Sequence, residues 1–187
     1  MPKVVIDQEV FNAVMNLMVV SGYSGTTTKQ MAEAAGISEV SLFRKYGSKA
    51  QLVRMAVTSI AGQFDFETIC EYTGNVKNDL LRIVRMYQNL AVHHGQFMAM
   101  LIPELSPYPE LGNALDKPLG VIKQIRKLIK RYQDEGILKK EHPLHTVSSL
   151  LGPLIYTAML RGSLLDADLK PVNLTDHIAY FLNGRKE

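Results

Sequence analysis

The sequence predicts an all-α protein of about nine helices. Apolar residues recur at spacings of three and four along almost the whole chain, and no convincing run alternates with the period of two that a strand requires. A hydroxyl side chain also stands at three positions where a helix start needs a cap: Thr27, Ser38 and Ser48. An apolar fraction of 47% over 187 residues is enough for a packed core.

Charge and cysteine content narrow the class of protein. The net charge of +3 is compatible with nucleic-acid binding but does not require it. A single cysteine, Cys70, excludes an intramolecular disulfide and suits a reducing compartment. Asp7 and Glu9 interrupt the apolar N-terminus, so a secretory signal is not expected, and the longest uncharged stretch, 142–160, contains two prolines and a glycine. We expect a soluble cytoplasmic protein.

The first four helices have clear start and stop signals. The first ends near Gly22, and its inward stripe is Val10, Ala13, Val14, Leu17 and Met18. Residues 27–30 have the capping-box pattern and begin the second helix, which reaches about residue 35. Ser38 caps a third helix to about residue 46. Residues 48–51 repeat the capping-box pattern and open a longer fourth helix.

The pattern is weaker after Gly62, and five more helices are expected. Residues 73–75 are the expected turn before a helix that holds residues 80–91, and a short separate helix holds residues 97–101. A proline-rich break precedes an amphipathic helix over about 117–135. The last two helices are expected over about 143–165 and 174–183.

Residues 28–49 contain two short helices that must meet at a steep angle. Ala32 and Gly36 are small enough for a close approach, and Gly36 can adopt the left-handed conformation that ends a helix. Met31, Ile37 and Leu42 fill the angle between the helices. This is the helix-turn-helix arrangement, whose second helix enters the major groove of DNA. From spacing alone, an ordinary helical corner remains the alternative.

A wider set of motifs in residues 10–53 occurs in one order and spacing: Gly22-Tyr23, Thr27-Thr28, Met31-Ala32, Ala35-Gly36-Ile37-Ser38, Leu42-Phe43 and Ser48-Lys49. Together they resemble the N-terminal domain of TetR-family transcriptional regulators. The resemblance implies a TetR-like fold with a three-helix DNA-binding domain over residues 1–48. Residues 49–187 then form a helical effector-binding and dimerisation domain, which they resemble in architecture only.

The resemblance also implies roles for individual residues. Arg44 is expected to pair with guanine, Glu39 to accept from cytosine, and Val40 to touch a thymine methyl; for Glu39, simple stabilisation by the helix dipole is the alternative. Threonine hydroxyls and lysines are expected to contact phosphates; for the threonines, a role as helix caps alone is the alternative. The family commonly has tyrosine where Phe43 stands and glycine where Val40 stands. The predicted DNA-binding set is Thr27, Thr28, Ser38, Glu39, Val40, Ser41, Phe43, Arg44, Lys45, Tyr46 and Lys49.

The C-terminal part contributes two further sets of candidate residues. Apolar and methionine-rich positions with a few polar groups suggest a pocket for a hydrophobic effector, with ordinary core as the alternative. That set is Met86, Tyr87, Leu90, His94, Phe97, Met98, Met100, Leu101, Leu105, Ile125, Ile129, Leu154 and Tyr156. The last two helices have more apolar surface than a small domain can cover, which indicates a dimer interface. That set is Leu150, Leu151, Ile155, Met159, Ile178, Phe181 and Leu182.

No pattern indicates catalysis, a metal or a cofactor. The histidine pairs His93/His94 and His142/His145 lack cysteines or carboxylates at supporting spacings. We therefore expect a non-enzymatic, ligand-responsive repressor that acts as a homodimer on a palindromic operator and is released by a small hydrophobic effector. The alternatives are an activator or architectural DNA-binding protein without an effector, or a helical enzyme or protein-interaction module.

Overall fold

The computed structural model describes residues 6–161 and 168–184. Nine α-helices lie within these residues, which confirms the predicted all-α fold. They are α1 (Asp7–Ser21), α2 (Thr28–Ala34), α3 (Glu39–Tyr46), α4 (Lys49–Ala61), α5 (Phe66–Ile69), α6 (Val76–Glu104), α7 (Asp116–Asp134), α8 (Pro143–Leu160) and α9 (Leu174–Asn183), with a 3₁₀ segment at Pro109–Leu115. The chain forms two compact units, unit 1 (residues 1–63 and 96–117) and unit 2 (residues 64–95 and 118–187).

The predicted caps begin the short helices of unit 1. Thr27 and Gln30 form a complete capping box, in which the backbone N–H of Gln30 donates to Thr27 Oγ1 at 3.2 Å and that of Thr27 donates to Gln30 Oε1 at 2.8 Å. Ser38 Oγ accepts from the backbone N–H of Ser41 at 3.1 Å and so begins α3. Because these bonds satisfy backbone donors that have no partner within the helix, they define where each helix starts.

The turn between α2 and α3 depends on Gly36. Its φ of 64° lies in the left-handed region that side chains disfavour. The backbone N–H of Gly36 donates to Glu33 O and that of Ile37 donates to Ala32 O, both at 3.0 Å, which closes the end of α2. The predicted left-handed glycine is therefore present, and it allows α3 to leave at a steep angle from α2.

The core of unit 1 joins the helix-turn-helix to α4 and the 3₁₀ segment. Apolar side chains of α1, α2, α3 and α4 are buried together with Leu111 and Ala114 of the 3₁₀ segment, which packs against α4. Unit 1 thus contains residues 49–63 and 96–117 in addition to the predicted DNA-binding domain. The structural unit that holds the DNA-binding helices is larger than residues 1–48.

Unit 2 has a separate apolar core from α6, α7, α8 and α9. A buried carboxylate, Asp79, connects the start of α6 to α7. Thr73 Oγ1 donates to Asp79 Oδ1 at 2.6 Å, Tyr132 donates to Oδ2 at 2.5 Å, and Arg82 forms an ion pair with Asp79 at 3.0 Å. Burial acts to raise the pKa of Asp79, but these bonds and the Arg82 charge hold it below its ordinary value.

The predicted helices of the C-terminal part need three corrections. The helices expected over residues 80–91 and 97–101 are one continuous helix, α6, which tolerates Pro103 in its last turn. The short helix α5 and the 3₁₀ segment were not predicted, since neither is long enough to show an apolar period. Helix α8 ends at Leu160, where Arg161 has an extended backbone, and so stops short of the end expected near residue 165, which itself lies outside the described residues. Among the described helices, none combines the length and the apolar character needed to cross a bilayer.

Candidate nucleic-acid interface

Helix α3 has a buried face and an exposed face of contrasting chemistry. Leu42 and Tyr46 are each only 1% exposed, whereas Val40 is 75% and Phe43 46% exposed. Glu39 and Arg44 are also exposed, and with Val40 and Phe43 they form what we call the α3 outer face. A short helix that presents two apolar side chains and an arginine to solvent has a surface suited to contact with another molecule.

The small hydroxyl residues near this face are engaged in the caps. Ser38 Oγ donates to Ser41 Oγ at 2.9 Å in addition to accepting from the Ser41 backbone. Thr27 Oγ1 donates to Gln30 Oε1 at 3.0 Å. Thr28 differs, because its hydroxyl donates across the turn to Glu39 Oε1 at 2.6 Å. The structure thus brings two predicted DNA-binding residues into direct contact with each other.

Lys45 and Tyr46 contact an acidic residue of α1 that the sequence did not place near α3. Asp7, the first residue of α1, forms an ion pair with Lys45 at 2.8 Å and accepts from the Tyr46 hydroxyl at 2.6 Å. These two bonds lower the pKa of Asp7 from its ordinary value. Burial raises the pKa of Tyr46, and the hydrogen bond to Asp7 and the Asp7 charge raise it further. Tyr46 is therefore a core residue that orients α3, and we omit it from the DNA contacts proposed below.

Lys49 points into unit 1 in this structure. Its ammonium donates to the carbonyl oxygens of Tyr23 and Thr26, the latter at 2.5 Å, and lies 4.1 Å from the centre of the Tyr23 ring. Burial lowers its pKa, while the charges of Glu104 and Glu110 act to raise it. These contacts connect the start of α4 to the turn between α1 and α2, and the predicted phosphate contact of Lys49 stays untested.

Tyr23 extends this connection to the segment between α6 and α7. Its hydroxyl donates to Glu110 at 3.4 Å, and its ring packs edge-on against Tyr108 with centres 4.9 Å apart. Burial and the Glu110 charge raise the pKa of Tyr23 to about 12. The Gly22-Tyr23 motif indicated the end of α1 but not these partners, because they lie more than eighty residues further along the chain.

The predicted effector residues fall into both compact units. Met86, Tyr87, Ile125, Ile129 and Leu154 belong to the apolar core of unit 2. Five others, Phe97, Met98, Met100, Leu101 and Leu105, belong to unit 1. Leu90 and His94 are partly buried in unit 2, and burial lowers the pKa of His94, with a smaller effect from His93. Tyr156 is 63% exposed, so it does not belong to the core of unit 2 in this chain.

The predicted dimer residues also divide into two groups. Five of them are buried within the chain itself: Leu150, Leu151, Ile178, Phe181 and Leu182. Ile155 and Met159 are instead 42% and 44% exposed, and they lie on one side of α8 with Gly152 and Tyr156. The apolar pattern of α8 and α9 thus did not distinguish side chains buried in the chain's own core from apolar side chains exposed at the surface.

Sequence comparison identifies related regulators. The family profile described as bacterial regulatory proteins, tetR family, matches residues 11–56, the segment that contains the α3 outer face. An uncharacterized HTH-type transcriptional regulator of Bacillus subtilis, YvkB, is 26% identical over 184 residues, which cover 95% of this chain and 96% of that protein. The likeness to YvkB therefore extends through both compact units.

Solved structures share the fold at lower sequence identity. A proposed fatty acid metabolism regulator from Clostridium perfringens superposes with a TM-score of 0.75 at 21% identity, covering 94% of this chain and 97% of its own. AibR, solved with isovaleryl coenzyme A and operator DNA, superposes with a TM-score of 0.72 at 12% identity, covering 95% and 96% of the two chains. At these identities the similarity concerns the fold alone.

Proposed function

We propose that the protein is a repressor acting as a homodimer, on the premise that its residues 11–56 match the profile of bacterial regulatory proteins, tetR family. In this proposal it binds a palindromic operator and leaves it when a small hydrophobic effector binds. DNA binding is assigned to residues 1–48, and effector binding and dimerisation to residues 49–187. The observation that carries the proposal is the exposed outer face of α3.

The α3 outer face has the chemistry needed to read base pairs. In a helix-turn-helix, residues near the N-terminus of the second helix reach the base edges in the major groove. Arg44 supplies two donors for guanine O6 and N7, and Val40 supplies an apolar contact for the thymine methyl. Val40 and Phe43 are 75% and 46% exposed, so a large part of each apolar side chain is in contact with water. Contact with DNA accounts for their exposure.

The exposed side of α8 supports the homodimer. Ile155, Tyr156 and Met159 present an apolar surface, and on the same side a Cβ placed at Gly152 would have no described atom within 4 Å apart from the adjacent backbone of α8. A helix of a second copy could approach closely at that glycine, and a two-fold dimer places the same surface on both subunits. Such a dimer sets two recognition helices about 34 to 36 Å apart on DNA, one helical turn of the duplex.

The effector assignment rests on the apolar character of the predicted lining residues and on the structural relatives. Three of those residues, Met86, Met98 and Met100, are methionines, which adapt to ligands of irregular shape. AibR has the same fold and was solved with isovaleryl coenzyme A, whose acyl group is apolar. An effector that binds better to a conformation unable to span the operator shifts the population away from DNA, by as much as its affinities for the two conformations differ.

Binding to DNA is tested first by gel shift with the upstream region of the protein's own gene. We expect Arg44→Ala to cost about 1 to 3 kcal/mol and to relax the preference at one base pair of each half-site. Arg85→Ala, which removes the same charge from an exposed position of α6, is the control and should leave binding unchanged. Equal effects of the two substitutions would exclude α3 as the recognition helix.

The alternative function is a DNA-binding activator or architectural protein without an effector. A thermal-shift screen of hydrophobic compounds, followed by gel shift with each compound that stabilises the protein, separates the two functions. Under the proposed function, a stabilising compound weakens DNA binding and the operator weakens binding of that compound, because coupling between two sites acts in both directions. Compounds that stabilise the protein without changing its DNA affinity would favour the alternative.

A further inference from the structure

The contact between Thr28 and Glu39 links the first residue of α2 to the first residue of α3. Thr28 Oγ1 donates to Glu39 Oε1 at 2.6 Å, a short bond of the kind that a carboxylate forms with a hydroxyl. A threonine hydroxyl has one proton, so while it donates to Glu39 it cannot also donate to a phosphate. The contact therefore conflicts with the role that the family resemblance implied for Thr28.

The same bond holds the Glu39 side chain in one orientation. Glu39 is exposed, and an exposed glutamate otherwise loses up to about 2 kcal/mol of rotamer entropy when a ligand orders it. Among the described residues, Thr28 is the hydrogen-bond partner of this carboxylate, and the bond involves Oε1. Oε2 is left as the acceptor that can face outward from the N-terminal end of α3. A favourable interaction with the helix dipole requires only a negative charge at residue 39 and does not require the side chain to be held in this orientation.

We propose that Thr28 is a positioning residue, which holds Glu39 so that Oε2 accepts a hydrogen bond from the N4 amino group of a cytosine in the major groove. The proposal rests on the proposed DNA-binding function. A carboxylate only accepts hydrogen bonds, and it is repelled by guanine O6 and N7 and by thymine O4, which are also acceptors. Adenine offers an amino group as well, but its N7 acceptor lies beside that group, so cytosine is the better partner.

The test compares base preference among four proteins: wild type, Glu39→Gln, Thr28→Val and Thr28→Ser. Valine keeps the shape of threonine without the hydroxyl, and serine keeps the hydroxyl. Binding is measured at one salt concentration to operators in which each base pair is varied in turn, and the salt dependence is measured on scrambled DNA. The readout is thus a change at one base pair, which a general loss of stability does not produce.

We expect Thr28→Val to reduce the preference for cytosine about fivefold at one position of each half-site, the lower end of what a base contact contributes. Glu39→Gln should act at the same position and shift the preference toward adenine, because an amide can pair with both N6 and N7. Thr28→Ser should retain the wild-type preference. In a Glu39→Gln background, Thr28→Val should reduce cytosine preference no further, because no carboxylate remains to be positioned.

Two results would overturn the proposal while leaving the DNA-binding function intact. The first is that Thr28→Val weakens binding to all sequences equally and reduces the salt dependence by about one phosphate contact, as loss of a phosphate donor does. The second is that Glu39→Gln lowers the melting temperature without changing any base preference, which would show that Glu39 only stabilises the helix. A wild-type protein that binds every DNA sequence equally would instead overturn both this proposal and the proposed function.

Discussion

The exposed residues of α3 could be predicted from the sequence much better than those of α8. In α3, the residues predicted to face DNA are exposed apart from Tyr46, which is buried, and Ser41, which is partly buried. Among the residues predicted to form the dimer interface, most are buried in the core of their own chain. In the capped, eight-residue α3, Leu42 and Tyr46 are buried one turn apart, and Glu39 and Arg44 lie among the exposed residues.

Helix α8 has apolar residues on more than one side. Val147, Leu150, Leu151, Leu154 and Ala158 face the chain's own core, while Ile155, Tyr156 and Met159 face outward. A helix that is apolar in several directions must be covered in several directions, but its sequence does not indicate which cover comes from the same chain. Substitutions in a buried core and on the exposed side of α8 should therefore differ in their effects on folding stability and on dimerisation.

The largest expected effect comes from a charge in the core. Ile178 is fully buried in unit 2, so Ile178→Asp should lower the free energy of unfolding by more than about 4 kcal/mol or prevent folding. Met159→Asp places the same charge on the exposed side of α8 and should change the stability of one subunit by no more than about 0.5 kcal/mol. Urea unfolding of both variants measures the difference.

Sedimentation velocity completes this comparison. Met159→Asp should yield a folded monomer at concentrations where the wild type is a dimer, because two charges would be buried at a two-fold interface. A fully folded dimer of Met159→Asp would show that the subunits meet through another surface. A stable, folded Ile178→Asp monomer would mean that Ile178 belongs to the interface after all.

Substitution of Lys49 should have a smaller effect on folding stability. It tests whether Lys49 contacts DNA, as predicted from the sequence, or only the backbone of unit 1. Lys49→Met retains the aliphatic chain but removes the ammonium that binds two backbone carbonyls, so it should cost about 1 to 2 kcal/mol of folding stability. The salt dependence of DNA binding should stay unchanged. Lys45→Met is the comparison, and it should reduce the salt dependence by about one phosphate contact. An equal reduction in both variants would show that Lys49 leaves its carbonyl partners and reaches DNA.

The smallest effect concerns pH and unit 2. Burial lowers the pKa of His94 below its ordinary value of 6.5, so between these two values the unfolded chain binds more protons than the folded chain. The contribution of neutral His94 to stability is therefore complete above about pH 6.5 and is lost as the pH falls toward the folded pKa. Melting temperatures between about pH 5 and 7.5 should fall less steeply in His94→Gln than in wild type. A slope in His94→Gln equal to the wild-type slope would exclude His94 as the source.

Local motifs explain why much of the N-terminal part could be predicted. The Thr27 and Ser38 caps and the left-handed Gly36 act within four residues of themselves, so their consequences can be worked out from adjacent letters of the sequence. The contacts that could not be predicted from the sequence join residues far apart along the chain. Asp7 lies 39 residues from Tyr46, and Tyr23 lies 87 residues from Glu110. Neither pair has a spacing that a helical period could indicate.

By itself, the sequence determined an all-helical chain and the starts of its capped helices, and its resemblance to TetR-family regulators added the helix-turn-helix and the α3 residues expected to face outward. The first two follow from backbone hydrogen bonding and apolar periodicity within one or two turns. The tertiary structure alone decided that Thr28 binds Glu39, that Lys49 turns inward, and that Ile178 is core while Met159 is surface. These outcomes depend on which side chains from remote segments occupy the same space, and periodicity along one helix carries no information about its neighbours.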